Sequence, residues 1–358
     1  MANKITVAVF FGGKSAEHDV SLVSAYNIIK ALDKNAYEIL PVGIDRNGTW
    51  HLVDLFTILN SLSIEIKNTD PVISIIPGKK EFNVYEKSGI TRLVPDVAFP
   101  VLHGPFGEDG SIQGIFRHID LPFVGADVAG SVLGMDKDIM KRILLQAEIP
   151  IGKFITLSHY EKPDPEDIFA KLGSPVFVKP ANMGSSIGVS RADDAASLLK
   201  SIDTAFKYDT KIVLEQAIIG REIECSVLGN ENPESTAPGE IVLGSKFYSY
   251  EEKYDGSSKA ELIIPAKLPE ELIRAVKDLA VKTYRALECA GFARVDFFIT
   301  DDDKIYINEI NTLPGFTSIS MYPKLWENEG LKTPELLNRL IQLARERFDL
   351  EKKLKKTL

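Results

Sequence analysis

Only two cysteines, Cys225 and Cys289, occur in 358 residues. So few leave no disulfide framework, and their separation gives no zinc-ligand spacing. Long apolar runs are missing too. The run over 5–11 is too short for a signal-peptide core or a membrane span, and reads as a buried first strand. With no export signal and no membrane segment, the expected compartment is cytoplasmic. Basic charge is in deficit: 42 Lys and Arg against 51 Asp and Glu leave a net charge of −9. That balance excludes nucleic acid as the main partner, although a few local lysines suffice for a small phosphate. Internal repeats, low-complexity segments and P-loop spacing are absent. What is present is 44% hydrophobic and 26% charged, the composition of a globular protein of about two or three domains.

Strand and helix signals alternate through the first third. The apolar run over 5–11 suits a parallel strand covered on both faces, and a Gly-Gly turn and a helix over 20–32 follow it. Strands are read at 38–44 and 96–102, a helix at 110–118 and a short strand at 123–125, which predicts an open parallel α/β sheet. A middle block carries a helix over 135–146, strands at 154–157 and 176–179, and a helix over 193–206. Strands resume at 212–216 and 222–228. Residues 245–262 are polar yet hold four aromatics, which marks an orderable lid and not a linker. A helix over 269–290 capped by Gly291 comes next, then a hairpin of strands 293–299 and 304–310, and a terminal helix over 334–348.

The hairpin carries the strongest chemical signal. A two-residue period puts Arg294 and Asp296 on one face of its first strand, and Glu309 and Asn311, which follow Asn308, on one face of the second. Two carboxylates and an amide converging there form a hard-oxygen site suited to magnesium. A salt-bridged cluster of Arg294, Asp296 and Glu309 is the plain alternative, although the apolar residues around the acids make idle burial costly. Just beyond, Gly315 allows close backbone approach, so its N–H is a candidate donor to a developing oxyanion. Ser320 either offers a hydroxyl to a carboxylate or simply caps the short helix that begins at Met321.

Lys179, at a strand end, precedes the small-residue loop with Gly184, Ser185 and Ser186. A cation and many backbone N–H groups together suit phosphates; an ordinary turn is the alternative. Lys137 is a second phosphate candidate, or a surface helix charge. Glu17 follows the first strand, at the edge where open α/β sheets bind ligands, and would offer a carboxylate to an ammonium. Otherwise residues 15–19 only cap the next helix. His103 and Glu108 lie at the end of the strand at 96–102, within reach of the same crevice; a structural histidine is the alternative. Glu215 and Glu222 read as an adenine and ribose clamp, or as salt-bridged surface acids.

Eight segments, in order, resemble the ATP-grasp superfamily and more closely the D-alanine–D-alanine ligases: GGKSAEHDVS, HGPFGEDGSIQG, GMDK, VKPANMGSSIGVS, LEQAIIGREIE, FYSYEEKYDG, GFARVDFF and NEINTLPGFTSIS. The resemblance spans nearly the whole chain. It implies a mixed α/β, three-domain ATP-grasp fold, with an N-terminal open parallel α/β sheet domain over 1–125. A central subdomain over 126–215 and a C-terminal domain over 216–358 would follow. It implies ATP, with Lys137, Lys179, Ser185 and Ser186 toward phosphates and Glu215, Gln216, Ile218 and Glu222 toward the adenosine. Asp296, Glu309 and Asn311 would hold two magnesium ions, with manganese as a substitute, and Asn308 would lie beside the nucleotide. Lys253 and Tyr254 would belong to the lid, with Tyr254 pairing Ser185. Glu17 would anchor the ammonium of a first D-alanine, and His103 would line that subsite. Arg294 and the Gly315 N–H would hold the oxyanion, and Ser320, beside Met321, the second carboxylate. The implied reaction joins two D-alanines through an acyl phosphate, for peptidoglycan synthesis. A D-serine or D-lactate second substrate, or a non-catalytic ATP-binding relative, is the alternative. The family also implies a homodimer through the N-terminal region.

Overall fold

The computed structural model describes residues 4–242 and 261–355. Lys253, Tyr254 and the expected lid up to residue 260 lie outside the described residues. Three sheets organise the rest.

Along β1 (Ile5–Gly12), Val7, Val9 and Phe11 enter one core, while Ala8 and Phe10 enter another on the opposite face. Every one of these side chains is fully buried, which is why the run lacks polar alternation. The parallel neighbours of β1 are β2 (Tyr37–Ile44), reached through α1 (His18–Ala31), and β7 (Val97–Pro100). Beyond β2 the sheet continues antiparallel through β3 (Trp50–Leu52), β4 (Val72–Ile75), β5 (Phe82–Glu86) and β6 (Gly89–Leu93), with α2 (Leu55–Asn60) between β3 and β4. This extension of the expected parallel sheet has strands of three to five residues, and β6 buries none of its side chains. No hydrophobic period announces such strands. The expected strand at 123–125 is a single bridge from Phe123 to Ala98, which follows α3 (Ser111–His118).

The helix expected over 135–146 is present over 137–146, and a short helix that the sequence pattern does not separate precedes it. α4 (Val128–Met135) stops at Asp136, whose Oδ1 accepts from the amides of Asp138 and Ile139, both at 3.1 Å, and so opens α5 (Lys137–Gln146). The junction itself is charged, Asp136-Lys137-Asp138, and the aspartate cap sets where the second helix begins.

The central sheet runs β10-β9-β11-β8, from β8 (Phe154–Ser158), β9 (Val176–Pro180), β10 (Ser190–Ala192) and β11 (Lys211–Gln216), all antiparallel. α6 (Pro165–Leu172) and α7 (Ala195–Ala205) cover it, each opened by an aspartate cap. The third sheet is also antiparallel. It holds β12 (Arg221–Leu228), β13 (Glu234–Ser235), β14 (Gly239–Val242), β15 (Glu261–Ile263), β16 (Phe292–Ile299) and β17 (Ile305–Asn311). Its core is shared with α5 and with α8 (Glu270–Ala286). α8 ends at Ala286, short of the expected stop, and Gly291 does not cap it. Gly291 (φ +75°) instead abuts the backbone of Gly125, where a Cβ would fall 3.2 Å from the Gly125 nitrogen. After α9 (Met321–Asn328), the last helix α10 (Thr333–Lys352) returns to the first sheet, where Leu336, Leu337, Leu340 and Ile341 join the core of Val7 and Ile28.

Candidate active site

The C-terminal ends of β1 and β7 open onto a crevice. Glu17, buried, stands at the start of α1 but makes no capping hydrogen bond, and Ser15 donates its hydroxyl to the His103 carbonyl at 2.7 Å. Within residues 15–19, Ser15 does serve the helix start, its Oγ accepting from the Glu17 amide at 3.2 Å, while the Glu17 carboxylate turns elsewhere. Glu17 instead accepts from the Ser185 hydroxyl of the small-residue loop. Two glycines make room for its carboxylate: a Cβ at Gly104 (φ +70°) would fall 2.3 Å from Oε2, and one at Gly184 would fall 3.1 Å away. Ser185 and Ser186 both hold positive φ, a strained turn that serine tolerates only under constraint.

His103 is buried beside this group, with Nε2 3.3 Å from Ser24 Oγ. Burial brings its ring down to about 4, so it is neutral near pH 7. Glu108 accepts from the Gly104 amide at 2.7 Å and from the Leu313 amide at 3.4 Å, linking the first domain to the loop after the hairpin. Burial, then the nearby Glu17 charge, push its carboxyl up to about 8. A Cβ at Gly315 would lie 3.0 Å from Ser320 Oγ and 3.9 Å from His103 Cε1, which places that loop against the same pocket. Ser320 makes no capping hydrogen bond; its Oγ accepts from the Thr317 amide at 2.9 Å. Met321 is buried, with Sδ against Gly239.

Across the crevice lies a layer of lysines. Lys137, the first residue of α5, donates to the Met183 carbonyl at 2.7 Å and lies 3.8 Å from Glu309. Lys179 donates to Glu215 Oε2 at 2.9 Å and to Asn308 Oδ1 at 3.3 Å, so β9, β11 and β17 meet at one ammonium. Lys141 lies 3.1 Å from the other oxygen of Glu215. Burial raises the Glu215 carboxyl, but Lys141 and Lys179 outweigh it and bring it down to about 2. Glu222 adds to the negative field at Lys179. Gln216 and Ile218 border Gly152, where a Cβ would fall 2.9 Å from Ile218 Cδ1. Sequence reasoning missed Lys141, although its spacing from Lys137 puts both on one helix face.

The hairpin sets Arg294 opposite Asn311 and Asp296 opposite Glu309, with a bulge between Asp296 and Phe297 that shifts the rest of the register. Arg294 grips both oxygens of Asp296, each at 2.7 Å, and also lies 3.0 Å from Glu224. Burial opposes its charge, yet Asp296 and Glu224 raise its pKa. Glu224 was missed as well; two residues beyond Glu222 on β12, it shares that strand's face. Asn311 Nδ2 donates to Asp296 at 3.0 Å. Asp296, Glu309 and Asn311 have the oxygen donors a hard cation takes. Among the described residues no three His, Cys, Asp or Glu gather as a metal cage, so the fit is one of donor type.

Fold and crevice together define an ATP-grasp protein. Family descriptions match in two blocks: "D-ala D-ala ligase N-terminus" over residues 6–126 and "D-ala D-ala ligase C-terminus" over 143–342. A D-alanine–D-alanine ligase of Shouchella clausii is 46% identical over 367 residues, covering 100% of this chain and 99% of that protein. The solved D-alanine–D-alanine ligase of Coxiella burnetii superposes with a TM-score of 0.86 at 35% identity, covering 98% of this chain and 97% of the other. The VanG D-Ala:D-Ser ligase of Enterococcus faecalis gives 0.84 at 36% identity, covering 96% and 100%. The chain belongs to the D-alanine–D-alanine ligase family.

Proposed function

We propose that this protein is an ATP-dependent ligase that joins two D-alanines into D-alanyl-D-alanine for peptidoglycan synthesis. The observation that carries the reading is the contact between Ser185 and Glu17. It brings a first-domain carboxylate and a phosphate-loop hydroxyl, 168 residues apart, into one crevice. Glu17 receives the ammonium of the first D-alanine, with neutral His103 lining the pocket. The carboxylate of that molecule attacks the γ-phosphorus of ATP; the bond to the bridging oxygen breaks, ADP leaves, and an acyl phosphate forms. The amine of the second D-alanine, its carboxylate held at Ser320 beside Met321, attacks the acyl carbonyl, and phosphate departs. The Gly315 N–H and Arg294 stabilise the oxyanion, where one such donor is typically worth about 3–4 kcal/mol.

Lys137 and Lys179, with Ser185 and Ser186, take the phosphates, while Glu215, Gln216, Ile218 and Glu222 line the adenosine and Asn308 stands beside it. Lys253 and Tyr254 would complete the site from the lid. Two magnesium ions, or manganese, held by Asp296, Glu309 and Asn311, supply neutralisation of phosphate charge. Catalysis is then positioning and charge compensation, without a covalent enzyme intermediate. Use of ATP and two buried free thiols, Cys225 and Cys289, fit a cytoplasmic enzyme. No described helix is long and apolar enough to cross a membrane. The family resemblance supports a homodimer through the N-terminal region.

The test is phosphate release from ATP and magnesium, with D-alanine, with L-alanine or with neither. Release that needs D-alanine, with D-alanyl-D-alanine seen by mass spectrometry, is expected. ATP binding without D-alanine-stimulated turnover would remove the ligase reading. A product carrying D-serine in preference, when both amino acids are supplied, would move the second substrate.

A further inference from the structure

Lys141 is the most enclosed cation in the crevice wall. It is 1% exposed, one turn along α5 from Lys137, with Nζ 3.1 Å from Glu215 Oε1 and 5.8 Å from the centre of the Phe154 ring. Glu215 thus sits between two ammonium groups, Lys141 on one oxygen and Lys179 on the other. A buried carboxylate needs one compensating cation; two are a surplus. The surplus belongs to the lysine with another acceptor within reach. Lys179 has one: its side chain keeps 15% exposure and already reaches Asn308 at 3.3 Å on β17. Among the described residues Lys141 has no second acceptor of that kind.

We propose that Lys141 is a positioning residue for nucleotide binding: it is the standing counter-ion of Glu215, and so lets Lys179 leave that carboxylate for a phosphate. The proposal rests on the reading of Lys179 as a phosphate ligand. Lys141 itself is too enclosed to touch the nucleotide. Without it, Glu215 would hold Lys179 as its only compensating cation, and an incoming phosphate would have to break that pair and leave a buried carboxylate alone. With it, the carboxylate stays compensated whichever way Lys179 turns. Burial lowers the Lys141 pKa, and the Glu215 carboxylate beside it works against that shift.

The test is a double-mutant cycle on the full-length enzyme with ATP and magnesium, read as KM for ATP and KM for D-alanine, with melting temperatures recorded. Lys141→Met is expected to raise KM for ATP by about tenfold, the order of a coupling between contacting charges, and to leave KM for D-alanine within about twofold. Lys141→Arg restores ATP binding. In a Glu215→Gln background, where no charge traps Lys179, Lys141→Met has little further effect. An equal effect of Lys141→Met in both backgrounds would mean a packing role and overturn the proposal. Lys179→Met is the control for the underlying reading: if it leaves KM for ATP unchanged, Lys179 is no phosphate ligand. If it weakens ATP while the cycle is additive, that reading stands and only the hand-off fails. Should Lys141→Met be too unstable to assay, Lys141→Gln in the same cycle decides the comparison.

Discussion

Glu17 and Glu108 sit on either side of Gly104, one carboxylate against the space a Cβ would take and the other on its amide. Two acids so placed do not both ionise freely, and the cost falls on Glu108, which burial and Glu17 raise from 4.5 to about 8. An acid raised in the folded state keeps a proton that the unfolded chain has released. Stability from this group is therefore complete below 4.5 and is lost as pH rises toward about 8. Glu108→Gln removes the titration and keeps an acceptor. The melting temperature of the variant minus that of the parent should climb between pH 5 and pH 8 and then level off; a difference independent of pH would sink the assignment. Gly104→Ala acts on the other acid. Its Cβ would meet Glu17 Oε2 at 2.3 Å in a left-handed backbone that alanine resists. KM for D-alanine should rise by about tenfold or more and KM for ATP by less, since Glu17 meets the phosphate loop only through Ser185. A matching rise in both constants would place the damage elsewhere. Glu17, His103 and Glu108 were legible because they lie in the segments that follow strands β1 and β7 of an open sheet. Lys141 was not, because a lysine one helical turn from another looks like a solvated face.

At the scale of elements, sequence pattern works where burial is one-sided and fails where a polar group or a short edge decides. Which faces of β16 and β17 carry the polar residues follows from a two-residue period, so the convergence of Asp296 and Glu309 was readable in advance, while the bulge between Asp296 and Phe297 was not. Strands β4 to β6 were not, because their exposed residues such as Tyr85 and Ile90 carry no clean alternation. At the α4–α5 junction the helix over 137–146 was legible, and the separate α4 before it was not. Asp136 ends one helix, opens the next, and accepts from Lys211 at 2.6 Å with its second oxygen. That turn aims Lys137 at the small-residue loop. Asp136→Ala should lower stability by only about 1–2 kcal/mol, the scale of a lost helix cap. Lys211 keeps Asp138 at 3.2 Å, so no cation is stranded. Urea denaturation measures that loss. The same variant should raise KM for ATP, because the helix start that holds Lys137 is loosened. A stability loss with unchanged ATP binding would show that Lys137 is held by its Met183 contact alone.

On the scale of the whole molecule, the chain's end completes its beginning. α10 lies more than three hundred residues along from β1, yet its leucines fill the core beneath that strand, and the Tyr37 hydroxyl donates to Asn338. The sequence pattern gave a terminal helix but not its destination, because a helical period states which face is apolar and not what covers it. The consequence is mechanical. The loop bearing Gly315 and Ser320 lies between the hairpin and α9, so docking of α10 on the first sheet bounds how far that loop moves from Glu17. Asn27 Nδ2, donating to the Phe316 carbonyl at 2.8 Å, ties the loop to α1 directly. Of the two tryptophans, Trp326 reports on this region, because it belongs to the core that α10 enters, while Trp50 packs against Phe10 and Phe82 in the core on the opposite face of the first sheet. Leu340 is fully buried there. Leu340→Ala should cost about 2–5 kcal/mol by loss of transfer energy and a residual cavity. Tryptophan fluorescence in urea should therefore show an earlier midpoint, and KM for D-alanine should rise more than KM for ATP, because the first subsite straddles the loosened contact. An unmoved midpoint would mean that α10 is not part of the cooperative core. A drop in stability with both constants unchanged would mean that the tether from Asn27, and not the helix, sets the position of the oxyanion loop.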